Sequence, residues 1–325
     1  MFDLVFLGTA AAVPSADRGS PALLVICGPT RFLVDCGEGT QRQLMRARLG
    51  FRGLDHVLLT HLHLDHVAGL AGLLATRRLF QIDDPIQIVG SAETVAFARR
   101  YLSDTVGAEG EAGYRLRAVA PGPVLTRPGW HLAAFPVAHR GTESLGYLFE
   151  GAARRPLLAD RLTALGVPEG PERAALARGE PVTLADGRQI APEMVQGPSG
   201  AGTKLAVIGD AEETASLVEP VHRADALVIE ATFLERDAAL ARARGHLTAA
   251  AGAWLACDAE VGELLLTHIS GRYKPAEILA EARALFPRVQ VAADFDRVSV
   301  SAPAGGSGGN AFGQRGALVV TRALW

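Results

Sequence analysis

The segment HLHLDH places His61, His63, Asp65 and His66 within six residues, directly after an apolar run and Thr60. Imidazole nitrogens and carboxylate oxygens are zinc ligands, and a ligating imidazole needs its second nitrogen held by another group. A strand ending at Thr60 releases these side chains into one turn, and the following VAGLAGLLATRRL continues as a helix that fixes their backbone. An apolar run ending in a ligand type occurs three more times: FPVA ends in His139, LAVIG in Asp210 and ELLLT in His268. Strands opening on one edge would gather His61, His63, Asp65, His66, His139, Asp210 and His268 at a single rim. That set exceeds the needs of one tetrahedral zinc with an open position and suits two metals sharing a carboxylate. Cys27, Cys36 and Cys257 are scattered and form no CxxC, so neither a disulfide framework nor a thiolate zinc site is indicated. His56, His131 and His222 have no ligand partner by spacing, and His131 falls in a turn-like PGW stretch.

The elements that would position these groups are short β-rich runs. Strands are expected at 4–7, 22–26, 31–34, 56–60, 86–89, 132–137, 146–150, 205–208, 226–230 and 263–267. Helical periodicity is best at 40–48, 70–80, 92–101, 248–256 and 275–285. Strands outnumber helices and many connections are hairpin-short. That pattern favours an α+β molecule of packed sheets with helices outside, over a strictly alternating parallel sheet. The segment 151–203 carries Pro156, Pro168, Pro171, Pro181, Pro192 and Pro198 between two good strands and reads as an excursion with its own small structure. From Ser301 onward, AGGSGGNAFGQ reads as a flexible linker to one last apolar run. The expected organisation is a catalytic domain over 1–300, interrupted by an inserted arm at 151–203, and a tail over 301–325.

Composition bounds the partners. With 49% hydrophobic and 21% charged residues in a chain of 325, disorder and collagen are excluded. No apolar run approaches the roughly 20 residues of a membrane span, and Asp3 stands where a signal peptide would be basic. A cytoplasmic protein without membrane contact is expected. The formal charge of −3 argues against a general basic coat for nucleic acid and leaves room for a local patch.

The stretches LGTAAAVPSADRGSPALLV, FLVDCGEGTQRQL, LLTHLHLDHVAGL, FPVAHRGTESLGYLF, AVIGDAEET, LVIEATF, GHLTA and LTHISGRY, in this order over residues 1 to about 295, resemble the metallo-β-lactamase superfamily and, within it, the ribonuclease Z family of tRNA 3′-processing endonucleases. The resemblance implies a metallo-β-lactamase-like αββα sandwich with metals at the sheet edges. It also implies zinc-dependent cleavage of the 3′ trailer from precursor tRNA, leaving a tRNA 3′-hydroxyl and a trailer 5′-phosphate. His61, His63 and His139 would hold one of two Zn2+ per subunit (Mn2+ also being possible), with Asp65, His66 and His268 on the other and Asp210 bridging. Asp65 would accept a proton from the attacking water, and His246 of GHLTA would donate one to the leaving oxygen. Glu230 would orient His246, and Asp35 would orient the metal loop. Arg272 and Tyr273 would contact substrate. In the arm, Gly166, Pro168, Gly170 and Pro171 of LGVPEGP resemble the family's flexible tRNA-binding arm, which implies a homodimer. Six arginines (154, 155, 161, 173, 178, 188) and six acids (160, 169, 172, 180, 186, 193) balance there. The family's PxKxRN loop corresponds to Pro14–Gly19, without its Lys and Asn. Two alternatives are a metal-dependent phosphodiesterase acting on small diesters or other RNAs, and a non-catalytic RNA-binding protein on a hydrolase scaffold.

Overall fold

The computed structural model describes residues 1–153, 155–198, 200–301 and 319–321. The expected linker of the tail, and its last residues, lie outside the described residues.

The first sheet is built from β1 (Phe2–Gly8), β2 (Ala22–Cys27), β3 (Thr30–Val34), β4 (Leu54–Leu58), β5 (Ile86–Gly90) and β6 (Tyr114–Ala118). The second begins with β7 (Gly122–Arg127), β8 (Trp130–Val137) and β9 (Ser144–Gly151). After the small hairpin of β10 (Val182–Thr183) and β11 (Gln189–Ile190), the second sheet continues with β12 (Lys204–Val207), β13 (Ala226–Glu230), β14 (Glu263–Thr267) and β15 (Val289–Val291). The chain then returns to the first sheet as β16 (Arg297–Val300) and β17 (Val319–Thr321). The strand orders are β17-β16-β1-β2-β3-β4-β5-β6 and β15-β14-β13-β12-β9-β8-β7. Each sheet is mixed: β3 to β6 run parallel, as do β12 to β15, and the remaining pairs are antiparallel.

Strand sequences explain the layers. Along β1 the side chains alternate, with Phe2, Leu4 and Phe6 in the core between the sheets and Val5 and Leu7 in a second core under helices. A strand buried on both faces reads as a continuous apolar run, which is why these segments are conspicuous in sequence. The inter-sheet core joins Val25, Phe32 and Val34 to Tyr147, Phe149, Val207 and Val228. Helices Thr40–Arg46, Leu70–Leu79 and Ala92–Thr105 cover the first sheet, contributing Leu44, Leu73 and Ala98. Helices Ala249–Asp258 and Pro275–Leu285 cover the second with Ala253 and Ile278. The result is the expected αββα sandwich. No helix among the described residues is long and apolar enough to cross a membrane.

Seven strands among the described residues were not expected from sequence: β6, β7, β15, β16 and β17 of the two large sheets, and the β10–β11 hairpin. β7 carries Pro123 and lies at the edge of its sheet, where a missing N–H is tolerated. His131, expected in a turn, lies within β8, with Nε2 2.7 Å from Glu150 of β9. The excursion after β9 has its own core of Leu162, Val167, Leu176, Leu184, Ile190 and Val195, enclosed by helices Ala159–Ala164, Pro171–Ala177 and Pro192–Val195 and the β10–β11 hairpin.

Candidate metal centre

The rim forms because the parallel strands of both sheets end at one edge. Asp35 follows β3, His61 follows β4, Asp210 follows β12 and His268 follows β14 directly. His139 comes from the turn after β8, and His63, Asp65 and His66 from the turn after His61, where Leu64–Val67 is already helical. Two contacts tie the sheets together here: Tyr147 donates its hydroxyl proton to the Leu59 carbonyl at 2.7 Å, and the Leu145 N–H reaches the Thr60 carbonyl at 2.8 Å.

All the ligand types converge. One group comprises His61, His63, His139 and Asp210, and a second comprises Asp65, His66 and His268, with the ligand atoms of each group within 4.8 Å of one another. Asp210 lies between them: Oδ2 is 3.7 Å from His61 Nε2 and 3.8 Å from His139 Nε2, while Oδ1 is 3.3 Å from both His66 Nε2 and His268 Nε2. Burial works to raise the Asp210 pKa, yet His268, His66 and His61 outweigh it and hold the carboxyl well below its usual range. Desolvation pushes His61, His63 and His139 below the ordinary imidazole value, which favours the neutral, ligating form. Burial also opposes charge on His66, but Asp210 and Asp35 overcome it and raise its pKa.

The ring orientations suit a cation. His61 Nδ1 lies 3.0 Å from Thr60 Oγ1, His66 Nδ1 2.7 Å from Asp35 Oδ2, His139 Nδ1 2.8 Å from the Gly245 carbonyl and His268 Nδ1 2.9 Å from Thr232 Oγ1. Each of these four rings therefore turns Nε2 to the centre, while His63 turns Nδ1 inward, 3.0 Å from His61 Nε2. Buried His66 Nε2 and Asp210 Oδ1, though 3.3 Å apart, have no hydrogen-bond partner in suitable geometry among the described residues. Buried polar atoms without partners are uncommon, and a bound ion explains such a pair. The donor set of imidazoles and carboxylates thus fits divalent cations.

Beside the ligand types, His246 Nδ1 lies 3.0 Å from Glu230 Oε1 and 3.8 Å from Asp210 Oδ2. Burial lowers the His246 pKa, the bond to Glu230 raises it, and the balance is a value of about 8. Distance alone does not separate His246 from the ligands, since Asp210, His246 and His268 also fall within 4.8 Å. Asp35 sits at φ 59°, a backbone region Asp tolerates, and accepts from the Thr60 N–H at 2.8 Å.

Other expected site residues lie elsewhere. Tyr273 is buried, donates its hydroxyl proton to Asp237 at 2.6 Å and packs beside Phe233, so in this conformation its polar end is engaged within the protein. Arg272 is exposed. Gly166, Pro168, Gly170 and Pro171 form an exposed turn in the arm, with Gly166 at φ 69° and Pro171 opening its helix. In the loop corresponding to PxKxRN, Arg18 turns inward and donates to Thr9 Oγ1 and the Ala292 carbonyl. Ala12, just before that loop, offers its N–H to Asp65 at 3.2 Å. Sequence reasoning missed the anchors Thr60, Thr232 and Gly245. The available signal was position: Thr60 precedes a ligand, Thr232 lies two residues beyond Glu230 and Gly245 precedes His246.

Comparison with known proteins agrees with this geometry. The family model described as Anti-Pycsar protein Apyc1 matches residues 2–120. A ribonuclease Z of Bradyrhizobium diazoefficiens is 53% identical over 301 residues, covering 92% of this chain and 100% of the relative. A ribonuclease Z of Archaeoglobus fulgidus is 38% identical over 307 residues, covering 93% and 98%. Among solved structures, the short form of human tRNase Z superposes with a TM-score of 0.63 at 26% identity, covering 91% of this chain and 98% of that one. With that identity sustained over the full length of its relatives, the chain belongs to the ribonuclease Z family.

Proposed function

We propose that the protein is a zinc-dependent endoribonuclease that removes the 3′ trailer from tRNA precursors, leaving a 3′-hydroxyl on the tRNA and a 5′-phosphate on the trailer. The observation that carries this reading is the convergence of two ligand groups on buried Asp210, with His66 Nε2 and Asp210 Oδ1 otherwise unsatisfied. His61, His63 and His139 would hold one cation and Asp65, His66 and His268 the other, with Asp210 shared. Zinc suits these donors, and manganese is able to replace it. When bound, such a pair supplies Lewis acidity, offsetting phosphate charge and making water a nucleophile near neutral pH.

The protein's own groups do the rest. Asp65 would accept the proton of the attacking water, its Oδ2 lying 3.4 Å from His268 Nε2 and 3.5 Å from His66 Nε2 at the mouth of the site. His246 is held by Glu230 in a form that carries a proton near neutral pH, ready for the departing 3′-oxygen. Arg272 stands exposed beyond His268 to meet a phosphate. The arm would bind the body of the tRNA through its Gly166–Pro171 turn and reach the active site of a partner subunit, making the enzyme a homodimer. Its place is the cytoplasm, with its substrate.

A second reading, a phosphodiesterase for small diesters, is favoured by one feature of the arm. Arg173, Arg178 and Arg188 are paired with Glu169, Glu180 and Asp186, which lowers the arm's attraction for RNA phosphates. Incubating the purified protein with a 3′-extended tRNA precursor and with a bis-aryl phosphate separates the two. Deleting 152–202 is expected to abolish trimming of the precursor and spare the small diester. Equal loss of both would reduce the arm to a structural element, and a wild-type protein unable to trim the precursor would refute the main reading.

A further inference from the structure

Thr232 is buried between two parts of the site and its one hydroxyl meets both. Oγ1 lies 2.5 Å from Glu230 Oε2 and 2.9 Å from His268 Nδ1. Glu230 is itself fully buried and receives the Ala211 N–H at 2.8 Å on Oε1, the oxygen that also faces His246. A hydroxyl has one proton to give and two lone pairs to accept with. Since a carboxylate accepts, the Thr232 proton goes to Glu230, and the hydroxyl is left to accept from His268 Nδ1–H. That direction leaves a lone pair on His268 Nε2, which faces Asp65 Oδ2 at 3.4 Å and Asp210 Oδ1 at 3.3 Å. Three acceptors then point at one another, an arrangement that a cation relieves.

We infer that Thr232 is a positioning residue that sets the tautomer of His268 and, through Glu230, couples that ring to the His246 side of the site. Its counterpart on the other side is Thr60, whose hydroxyl accepts from His61 Nδ1 and donates to Asp35 at 2.9 Å. His268 sits at φ 55°, an uncommon region for a histidine, and its carbonyl, 3.1 Å from Thr232 Oγ1, competes with Glu230 for the one hydroxyl proton; either recipient leaves the hydroxyl to accept from Nδ1–H. The inference rests on the metal role proposed for His268.

The test uses histidine-labelled protein and two readouts that need no catalysis. In metal-free wild type, above the imidazole titration range, nitrogen–proton correlation spectra should show the His268 proton on Nδ1. Thr232→Val should mix the two tautomers and weaken zinc binding by chelator competition about 10- to 100-fold, the usual effect of losing a group that orients a ligand. Thr232→Ser, which keeps the hydroxyl, should restore both. Val behaving as wild type in tautomer and affinity, even with a lowered melting temperature, would overturn the inference. So would a wild-type His268 protonated on Nε2, which needs no variant to fold. Wild-type protein that takes up no metal at all would instead overturn the underlying reading.

Discussion

Replacing Asp35 by asparagine changes one atom and poses a choice that the structure makes explicit. Oδ1 accepts from the Thr60 N–H at 2.8 Å and Oδ2 accepts from His66 Nδ1 at 2.7 Å, while the Thr60 hydroxyl reaches either oxygen, at 3.1 and 2.9 Å, and can use whichever remains an acceptor. Asparagine has one acceptor oxygen and one donor amide, so one of these two buried donors must face an NH2 group. If the backbone N–H loses, a buried donor goes unsatisfied at a cost of about 1–3 kcal/mol. If the imidazole loses, it shifts its proton to Nε2 and the backbone keeps its bond. The imidazole has that freedom and the amide has none, so the second outcome is expected. The φ of 59° is no obstacle, because asparagine tolerates it as aspartate does. The fold then survives with a small change in melting temperature, while His66 presents a proton where the proposed site needs a lone pair. Zinc affinity measured by chelator competition should fall about 10- to 100-fold, equivalent to about 1.4–2.7 kcal/mol. Wild-type affinity in a folded Asp35→Asn protein would refute the reasoning, since it would mean that the Nδ1 partner does not govern Nε2.

Two further changes probe other parts of the site. Glu230→Gln removes the contact that offsets burial and brings His246 to about 8, so its pKa should fall. Cleavage that requires protonated His246 is present at lower pH and lost as pH rises through about 8, and the variant's alkaline limb should move to lower pH; a pH–rate profile with an unmoved limb would remove His246 as the acid. Gly245→Ala meets two obstacles, a φ of 70° and an added Cβ 2.4 Å from Arg140 Cγ. A loss of about 1–3 kcal/mol is expected in chemical denaturation, together with weaker metal binding through the displaced carbonyl on His139. Arg140→Ala in the same protein should recover the part due to contact and leave the part due to φ.

The ligand types were legible because the first of HLHLDH and three others, His139, Asp210 and His268, each come at the end of an apolar run. LLT before His61 and LLLT before His268 are apolar to the last residue but one, and a polar ligand directly after such a run has to emerge at the sheet edge. Asp35 came instead from the resemblance of VDCGEG to the family, although it too directly follows an apolar run, FLV. The anchors were not legible. Both His61 and His268 directly follow a threonine, yet Thr60 holds His61 while the hydroxyl on His268 comes from Thr232, 36 residues earlier in sequence. Only the parallel pairing of β13 with β14 brings that residue alongside. The same holds for Asp294, whose carboxylate gathers Thr9, Gly19 and Gln43 and supports the loop that carries Arg18. β15 and β16 escaped because three or four residues give too little alternation to read, and β7 because Pro123 argues against a strand unless its edge position is known. In the arm, proline and glycine spacing marked an excursion, but the core around Leu176 came from contacts between short helices and a hairpin.

The central claim is that the imidazoles and carboxylates at the rim hold a pair of divalent cations required for cleavage. Elemental analysis of the purified protein beside its Asp210→Ala variant, each assayed on a 3′-extended tRNA precursor, tests it most directly. Two divalent ions per wild-type chain, with metal and cleavage lost together in the variant, are predicted. Undiminished cleavage by wild-type protein stripped of zinc and manganese would contradict it.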